Sequence, residues 1–185
     1  MNIEGKKIFL RAIEESDIPS LHSWANDPQT QHIMGDINFP SSMKFHLDWF
    51  NNLKNEPFNK RFAIESYEGE LIGLSHINKI DWKNSHAWHG IVLGNSNIRG
   101  KGYGFDSVMT TMKYAFDELN FQRLDGAMIS YNTHSINFYC NKLGWKKEGK
   151  RKNYYYRDGK YWDKIDVGIL RKDYYSLVKK LRYWE

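Results

Sequence analysis

The residues with the clearest chemical potential are Arg99-Gly100-Lys101-Gly102-Tyr103-Gly104, which lie between an apolar run, Gly90-Ile91-Val92-Leu93-Gly94, and a segment with helical periodicity. A strand that ends in a glycine-rich turn and runs straight into a helix can hold a phosphate. The glycines permit positive φ and close ligand approach. The N–H groups of the first helical turn face the anion, with a helix dipole worth about half a positive charge. Arg99 and Lys101 add full charges. The same residues would also serve a plain strand-to-helix turn with incidental basic side chains, and glycine spacing does not separate the two.

Spacing does exclude other phosphate motifs. A P-loop has four residues between its glycines and then Gly-Lys-Ser/Thr, whereas one residue separates Gly100 from Gly102 and Tyr103 follows. A Rossmann fingerprint sits after the first strand of a parallel unit, with an acid at the end of the next strand. This loop falls in mid-chain, and the strand that follows its helix offers Asp125 at its start instead.

Other reactive residues form no pattern of their own. Cys140 is the only cysteine, which rules out an internal disulfide and a cysteine-based metal site. His134, six residues before it, is badly aligned to activate it as a nucleophile. His86 and His89, three apart on a predicted strand, point to opposite faces, and the seven histidines show no metal-ligand spacing.

Positioning these residues requires a fold. Lys7 to Ile13 reads as a strand, and Ser16-Asp17 caps a helix carrying Leu21, Trp24 and Ala25 that ends at Asn26-Asp27-Pro28. A second helix from Ser41-Ser42 places Phe45, Trp49, Phe50 and Leu53 on one face, and the pair is a candidate lid. Arg61 to Tyr67, Glu70 to Ile80 and Ser85 to Leu93 read as an antiparallel meander. Gly104 to Asn120 is a helix with Val108, Met112, Ala115, Phe116 and Leu119 in register. Leu124 to Ile129 is a buried strand. Asn132-Thr133 starts a helix carrying Ile136, Tyr139 and Leu143. Lys152 to Tyr156 and Ile165 to Leu170 form a hairpin about Asp158-Gly159, and Tyr174 to Leu181 is a short amphipathic helix.

With 185 residues, 41% apolar and 16% aromatic, the chain fits one domain spanning 1–185, too hydrophobic for disorder. No apolar run approaches the roughly 20 residues of a membrane span, and the N-terminus lacks the layout of a secretion signal, so a cytoplasmic location is expected. Residues 1–140 carry 13 Lys and Arg against 16 Asp and Glu, and residues 141–185 carry 14 against 6. In the basic part Lys146, Lys147, Lys150, Arg151 and Lys152 adjoin three tyrosines. That mixture suits an RNA grip or, as the favoured reading, an edge strand kept from aggregating by lysine.

The order of elements, with the glycine loop after the fourth strand and Asn132 to Trp145 after the fifth, resembles the GNAT superfamily of acetyl-CoA-dependent N-acetyltransferases over almost the whole chain. Ala115-Phe116-Asp117-Glu118-Leu119-Asn120, Asn132-Thr133-His134-Ser135-Ile136-Asn137-Phe138-Tyr139 and Lys142-Leu143-Gly144-Trp145 look like the branch containing ribosomal-protein N-terminal acetyltransferases and spermidine acetyltransferases. The resemblance implies an α+β, α/β/α fold with a mixed, mostly antiparallel sheet of six to seven strands. Its order would be strand, two helices, three strands, helix, strand, helix, two strands. The fourth and fifth strands would split into a V.

In that V the pantetheine arm of acetyl-CoA would pair with the backbone of Ile91 and Leu93. Arg99, Gly100, Lys101, Gly102, Tyr103 and Gly104 would receive the pyrophosphate, and Asn132, Ser135 and Asn137 would lie near the cofactor. Asn132 and Ser135 also read as helix caps.

An alkylammonium has a pKa near 10.4, so a proton acceptor is expected. Tyr139 matches the family's general acid and is otherwise a core residue. The usual strand-four glutamate position holds Trp88, leaving His89, water or a carboxylate of the acceptor-side helices as base. The implied reaction is direct acetyl transfer to a primary amine in a ternary complex. The acceptor would be a small amine, an amino sugar or a protein N-terminus, and an aromatic side is suggested by Trp24, Trp49, Phe50, Trp82 and Trp88. The alternative is a non-catalytic acyl-CoA-sensing or RNA-binding module. No metal, membrane or nucleic-acid partner is expected, and a homodimer is the assembly the resemblance suggests.

Overall fold

Alternation of buried and open residues along the strand segments builds one mixed sheet in the structure, a computed structural model that describes residues 2–35, 39–94 and 100–185. The elements run β1 (Ile3–Glu4), β2 (Ile8–Arg11), α1 (Ile18–Ala25), α2 (Pro28–Ile33), α3 (Met43–Asn52), β3 (Lys60–Ser66), β4 (Leu71–Asp81), β5 (His86–Leu93), α4 (Tyr103–Lys113), β6 (Arg123–Ile129), α5 (Thr133–Asn137), β7 (Lys146–Arg157), β8 (Lys160–Leu170) and α6 (Arg171–Leu181). The sheet order is β1-β2-β3-β4-β5-β6-β8-β7, and every pair but one is antiparallel. The parallel pair is β5 with β6, and it is short: His86, Ala87 and Trp88 meet Arg123, Leu124 and Asp125. Beyond Trp88, β5 stays with β4 while β6 continues against β8, so the two strands part in the expected V.

The class is the expected one, with refinements. β1 brings the strands among the described residues to eight, one more than the upper expectation, because Ile3 and Glu4 pair with Leu10 and Phe9. The terminal hairpin strands extend well beyond 152–156 and 165–170, because β7 is a mostly exposed edge strand whose basic residues carry no apolar alternation. Asn26-Asp27-Pro28 ends α1 and also starts α2: Asp27 Oδ2 accepts from the Thr30 amide and hydroxyl, both at 2.7 Å, and Pro28 fills the first turn. The expected helix over 104–120 divides into α4 and a π turn at Tyr114–Glu118. α5 likewise passes into a π turn at Phe138–Lys142.

α4 and α5, with their π turns, and α6 bury their apolar stripes on one face of the sheet, where Val108, Met112, Phe116, Leu124, Leu143 and Trp145 join one cluster. α1 and α3 cover the other face, where Trp24, Trp49, Phe50 and Leu53 pack on Ile13, Ile18, Leu21 and Ala63. Phe45, expected on that apolar face, is exposed, and Leu47 packs there instead. Each large aliphatic side chain so buried stabilises the fold by about 1.5–3 kcal/mol. Asp106, in the first turn of α4, ties the helix to the sheet edge. Its carboxylate accepts the backbone N–H groups of Lys6, Lys7 and Ile8 at 3.0, 2.6 and 3.1 Å and the Tyr183 hydroxyl at 2.6 Å.

Candidate active site

Backbone direction at the mouth of the V follows from one bond. Gly94 N–H donates to Ile72 C=O at 3.0 Å, on the β4 side. Alternation along an antiparallel strand then sends the N–H and C=O of Ile91 and Leu93 the other way, toward the space β6 has left. These are the two residues expected to pair with an extended arm. The start of α4 lies directly above them: a Cβ on Gly104 would stand 3.1 Å from Leu93 Cδ1 and 3.9 Å from both Ile91 Cδ1 and Phe138 Cζ. A glycine here keeps the floor of the cleft open.

Gly102 caps α4 with φ +87°, and Gly100 has φ +81°, so both use the left-handed region that favours glycine. The first backbone bond of α4 runs from Asp106 N–H to Gly102 C=O at 3.0 Å. The N–H groups of Tyr103, Gly104 and Phe105 therefore precede the helical ladder and point out of its positive end. Arg99 lies outside the described residues. The exposed Lys101 remains as a charge, and Lys7, which the sequence reading missed, supplies another. Its Nζ donates to Lys101 C=O at 2.8 Å and would stand 3.2 Å from a Cβ on Gly102. Nothing in the chain signals this contact, since the two segments lie over ninety residues apart. The Tyr103 ring packs on the Ile8, Leu10, Ile64 and Ile72 cluster. A diphosphate and an amide-bearing arm fit this donor set.

Asn132 acts as a cap: Oδ1 accepts Ser135 N–H at 3.1 Å, and Nδ2 donates to Ile33 C=O at 3.4 Å. Ser135 is half-buried. Asn137 is exposed, and its Oδ1 accepts from Asn141 Nδ2 at 3.3 Å.

Tyr139 and His89 come together. Tyr139 is 8% exposed and His89 5% exposed, with Tyr139 Oη 3.3 Å from His89 Nε2. His89 Nδ1 lies 3.2 Å from His76 C=O, which can only accept, so the proton sits on Nδ1 and Nε2 accepts from the tyrosine hydroxyl. Trp145 packs against both rings at 5.1 and 5.9 Å. Burial and the nearby His76 hold the imidazole neutral, with its pKa lowered to about 3, and burial raises that of the phenol. The ring nitrogens of His89 are thus both engaged within the protein, on the α5 face of β5.

The opposite face of β5 carries Trp88 and Gly90. Trp88 lies under two ammonium groups, Lys79 Nζ at 4.8 Å and Lys164 Nζ at 4.9 Å from its ring centroid. Of the other aromatic residues expected on the acceptor side, Trp24, Trp49 and Phe50 are packed into the α1–α3 cluster, and Trp82 leans on Phe121 at 5.5 Å. Burial raises the Cys140 thiol pKa, which keeps it protonated and a poor nucleophile. Groups of side chains able to hold a metal are absent among the described residues. In the basic stretch, Lys146, Lys150 and Arg151 pair with Asp173, Asp163 and Asp166 at 3.2, 2.7 and 3.1 Å.

Comparison with known proteins gives a consistent picture. The family described as the acetyltransferase (GNAT) domain matches residues 7–146. An uncharacterized N-acetyltransferase, p20, of Bacillus licheniformis is 30% identical over 91% of this chain and 96% of its own. The SPbeta prophage-derived uncharacterized N-acetyltransferase YokL of Bacillus subtilis is 26% identical over 92% and 93%. A crystal structure of spermidine N-acetyltransferase from Vibrio cholerae in complex with CoA and spermine shares the fold. Its TM-score is 0.84 at 22% identity, over 91% of this chain and 98% of that one.

Proposed function

Because this chain belongs to the GNAT acetyltransferase family and transfers acetyl from acetyl-CoA to an amine, we propose how its own residues divide that work and which amines it accepts. The observation that carries the proposal is the parting of β5 and β6 after Trp88, with the start of α4 above the freed edge. The backbone of Ile91 and Leu93 binds the arm as an added strand, and the amides of the first turn of α4, with Lys7 and Lys101, hold the diphosphate. Acetyl-CoA supplies the activated acyl group. Tyr139 keeps its proton at neutral pH, and its hydroxyl, which donates to His89 Nε2 at rest, turns to donate to the departing sulfur.

The acceptor is a primary amine that is neutral or anionic elsewhere in the molecule. A spermidine acetyltransferase shares the fold, yet here Lys79 and Lys164, the latter paired with Asp166 at 3.2 Å, flank Trp88 at the head of the V, and the charge of Lys79 opposes a polycation. A thiol-release screen tests this reading. Turnover should be higher with amino sugars and carboxylate-bearing or peptide amines than with spermidine. Preference for spermidine would overturn the acceptor assignment.

A further inference from the structure

Gly90 and His76 face each other directly across β4 and β5, and adjacent residues of a strand point to opposite faces. His89 therefore points toward α5 and Tyr139, whereas the side chain of His76 lies on the far face, beside Trp88. Its ring occupies the space that a side chain at position 90 would take: a Cβ there would stand 2.4 Å from His76 Nε2 and 2.6 Å from Cε1. Gly90 is a notch that seats an imidazole next to the point where the β5–β6 pairing ends. Half-buried as it is, the ring makes no hydrogen bond among the described residues, although its own carbonyl anchors His89.

Resting on the reading of direct acetyl transfer, we infer that His76 is the general base, taking the proton from the attacking amine on the face of β5 opposite Tyr139. As the nitrogen lone pair forms the new bond to the acetyl carbon, the carbon–sulfur bond breaks and its electron pair leaves with sulfur. The surplus proton on nitrogen passes to His76 and on to water, and the sulfur is protonated from Tyr139, which is reloaded from solvent. Base and acid thus stand on the two sides of the thioester, so the incoming and outgoing groups do not compete for one residue. The surroundings keep His76 unprotonated. Burial, with the charge of Arg61 opposite it on β3 adding to this, lowers the His76 pKa to about 4, so the ring is free to accept at neutral pH and releases the proton to water rather than holding it. Arg61 itself is paired with Glu56 and lies over Trp49. Lys79 and Lys164 lie over Trp88, the next residue on that face of β5, and Lys164 is paired with Asp166 at 3.2 Å.

Wild-type turnover and calorimetric binding of acetyl-CoA, measured first, test the direct-transfer reading on its own. His76→Ala and His76→Gln then test the base. Both should bind acetyl-CoA within about twofold of wild type while losing about 100-fold or more in kcat/KM. Added imidazole should restore part of the rate to His76→Ala, which leaves room for it, and none to His76→Gln, which fills the space. Gly90→Ala, which drives a methyl group into the ring's seat, should lower kcat with acetyl-CoA binding intact. Turnover of His76→Gln within about threefold of wild type, or an inactive, acetyl-CoA-binding His76→Ala that imidazole does not restore, overturns the assignment.

Discussion

The hydroxyl of Tyr139 donates to Nε2 of His89 at 3.3 Å, because Nδ1 of the same ring is committed to the His76 carbonyl. The bond joins the floor of the V on β5 to the π turn that follows α5, and it sets the tautomer of His89 and the resting direction of the hydroxyl, from which the proton turns toward the sulfur. Tyr139→Phe keeps the ring packing on Trp145 and removes only the donor. Its kcat should fall by about 100-fold, with acetyl-CoA affinity unchanged. Thiol release combined with calorimetry checks this, and an unaltered kcat would remove Tyr139 from the chemistry.

Burial of His89 has a measurable cost in acid. Between the ordinary pKa of 6.5 and the folded value of about 3, the unfolded chain binds a proton that the native ring refuses. Stability therefore declines as the pH is lowered through that window, by about 1.4 kcal/mol per pH unit for this group. Above 6.5 the contribution is constant. Melting curves from pH 7 to pH 4 should show a shallower decline for His89→Gln, which cannot be protonated, than for wild type. Parallel declines would contradict the neutral, buried assignment.

Gly102→Val should hurt twice. At φ +87° a side chain strains the cap by about 1–2 kcal/mol, and a Cβ would crowd Lys7 Nζ at 3.2 Å. A lower melting temperature together with a raised Kd for acetyl-CoA is expected. Loss of stability without loss of affinity would separate the turn from the ligand.

Lys7→Met removes a cation from the loop while keeping much of the side chain's bulk. Acetyl-CoA should bind several-fold more weakly at low salt, and the difference should shrink as ionic strength rises toward 0.5 M. A salt-independent difference would assign Lys7 to loop geometry, through its bond to Lys101 C=O, rather than to charge.

The parts of this site that the sequence disclosed were those written in local chemistry. Glycines at 100 and 102 announced left-handed backbone, the periodicity of Val108, Met112 and Phe116 announced α4, and Asn132 announced the start of α5. What stayed hidden depended on register and long-range packing. Lys7 reaches the loop only because Asp106 pins β2 to α4. His76 acquires its meaning only from lying opposite Gly90, a pairing that a one-residue slip would abolish. α2 was missed because Pro28 reads as a stop after α1, although with Asp27 before it the same residue starts a helix.

Residue-resolved amide exchange with and without acetyl-CoA tests the central claim most directly. The N–H groups of Ile91 and Leu93, aimed into the V, and of Tyr103, Gly104 and Phe105 should slow markedly when acetyl-CoA saturates the protein. The Gly94 amide, already bonded to Ile72, should change little. Unchanged exchange at Ile91 and Leu93 under saturating acetyl-CoA would contradict the added-strand binding on which the account depends.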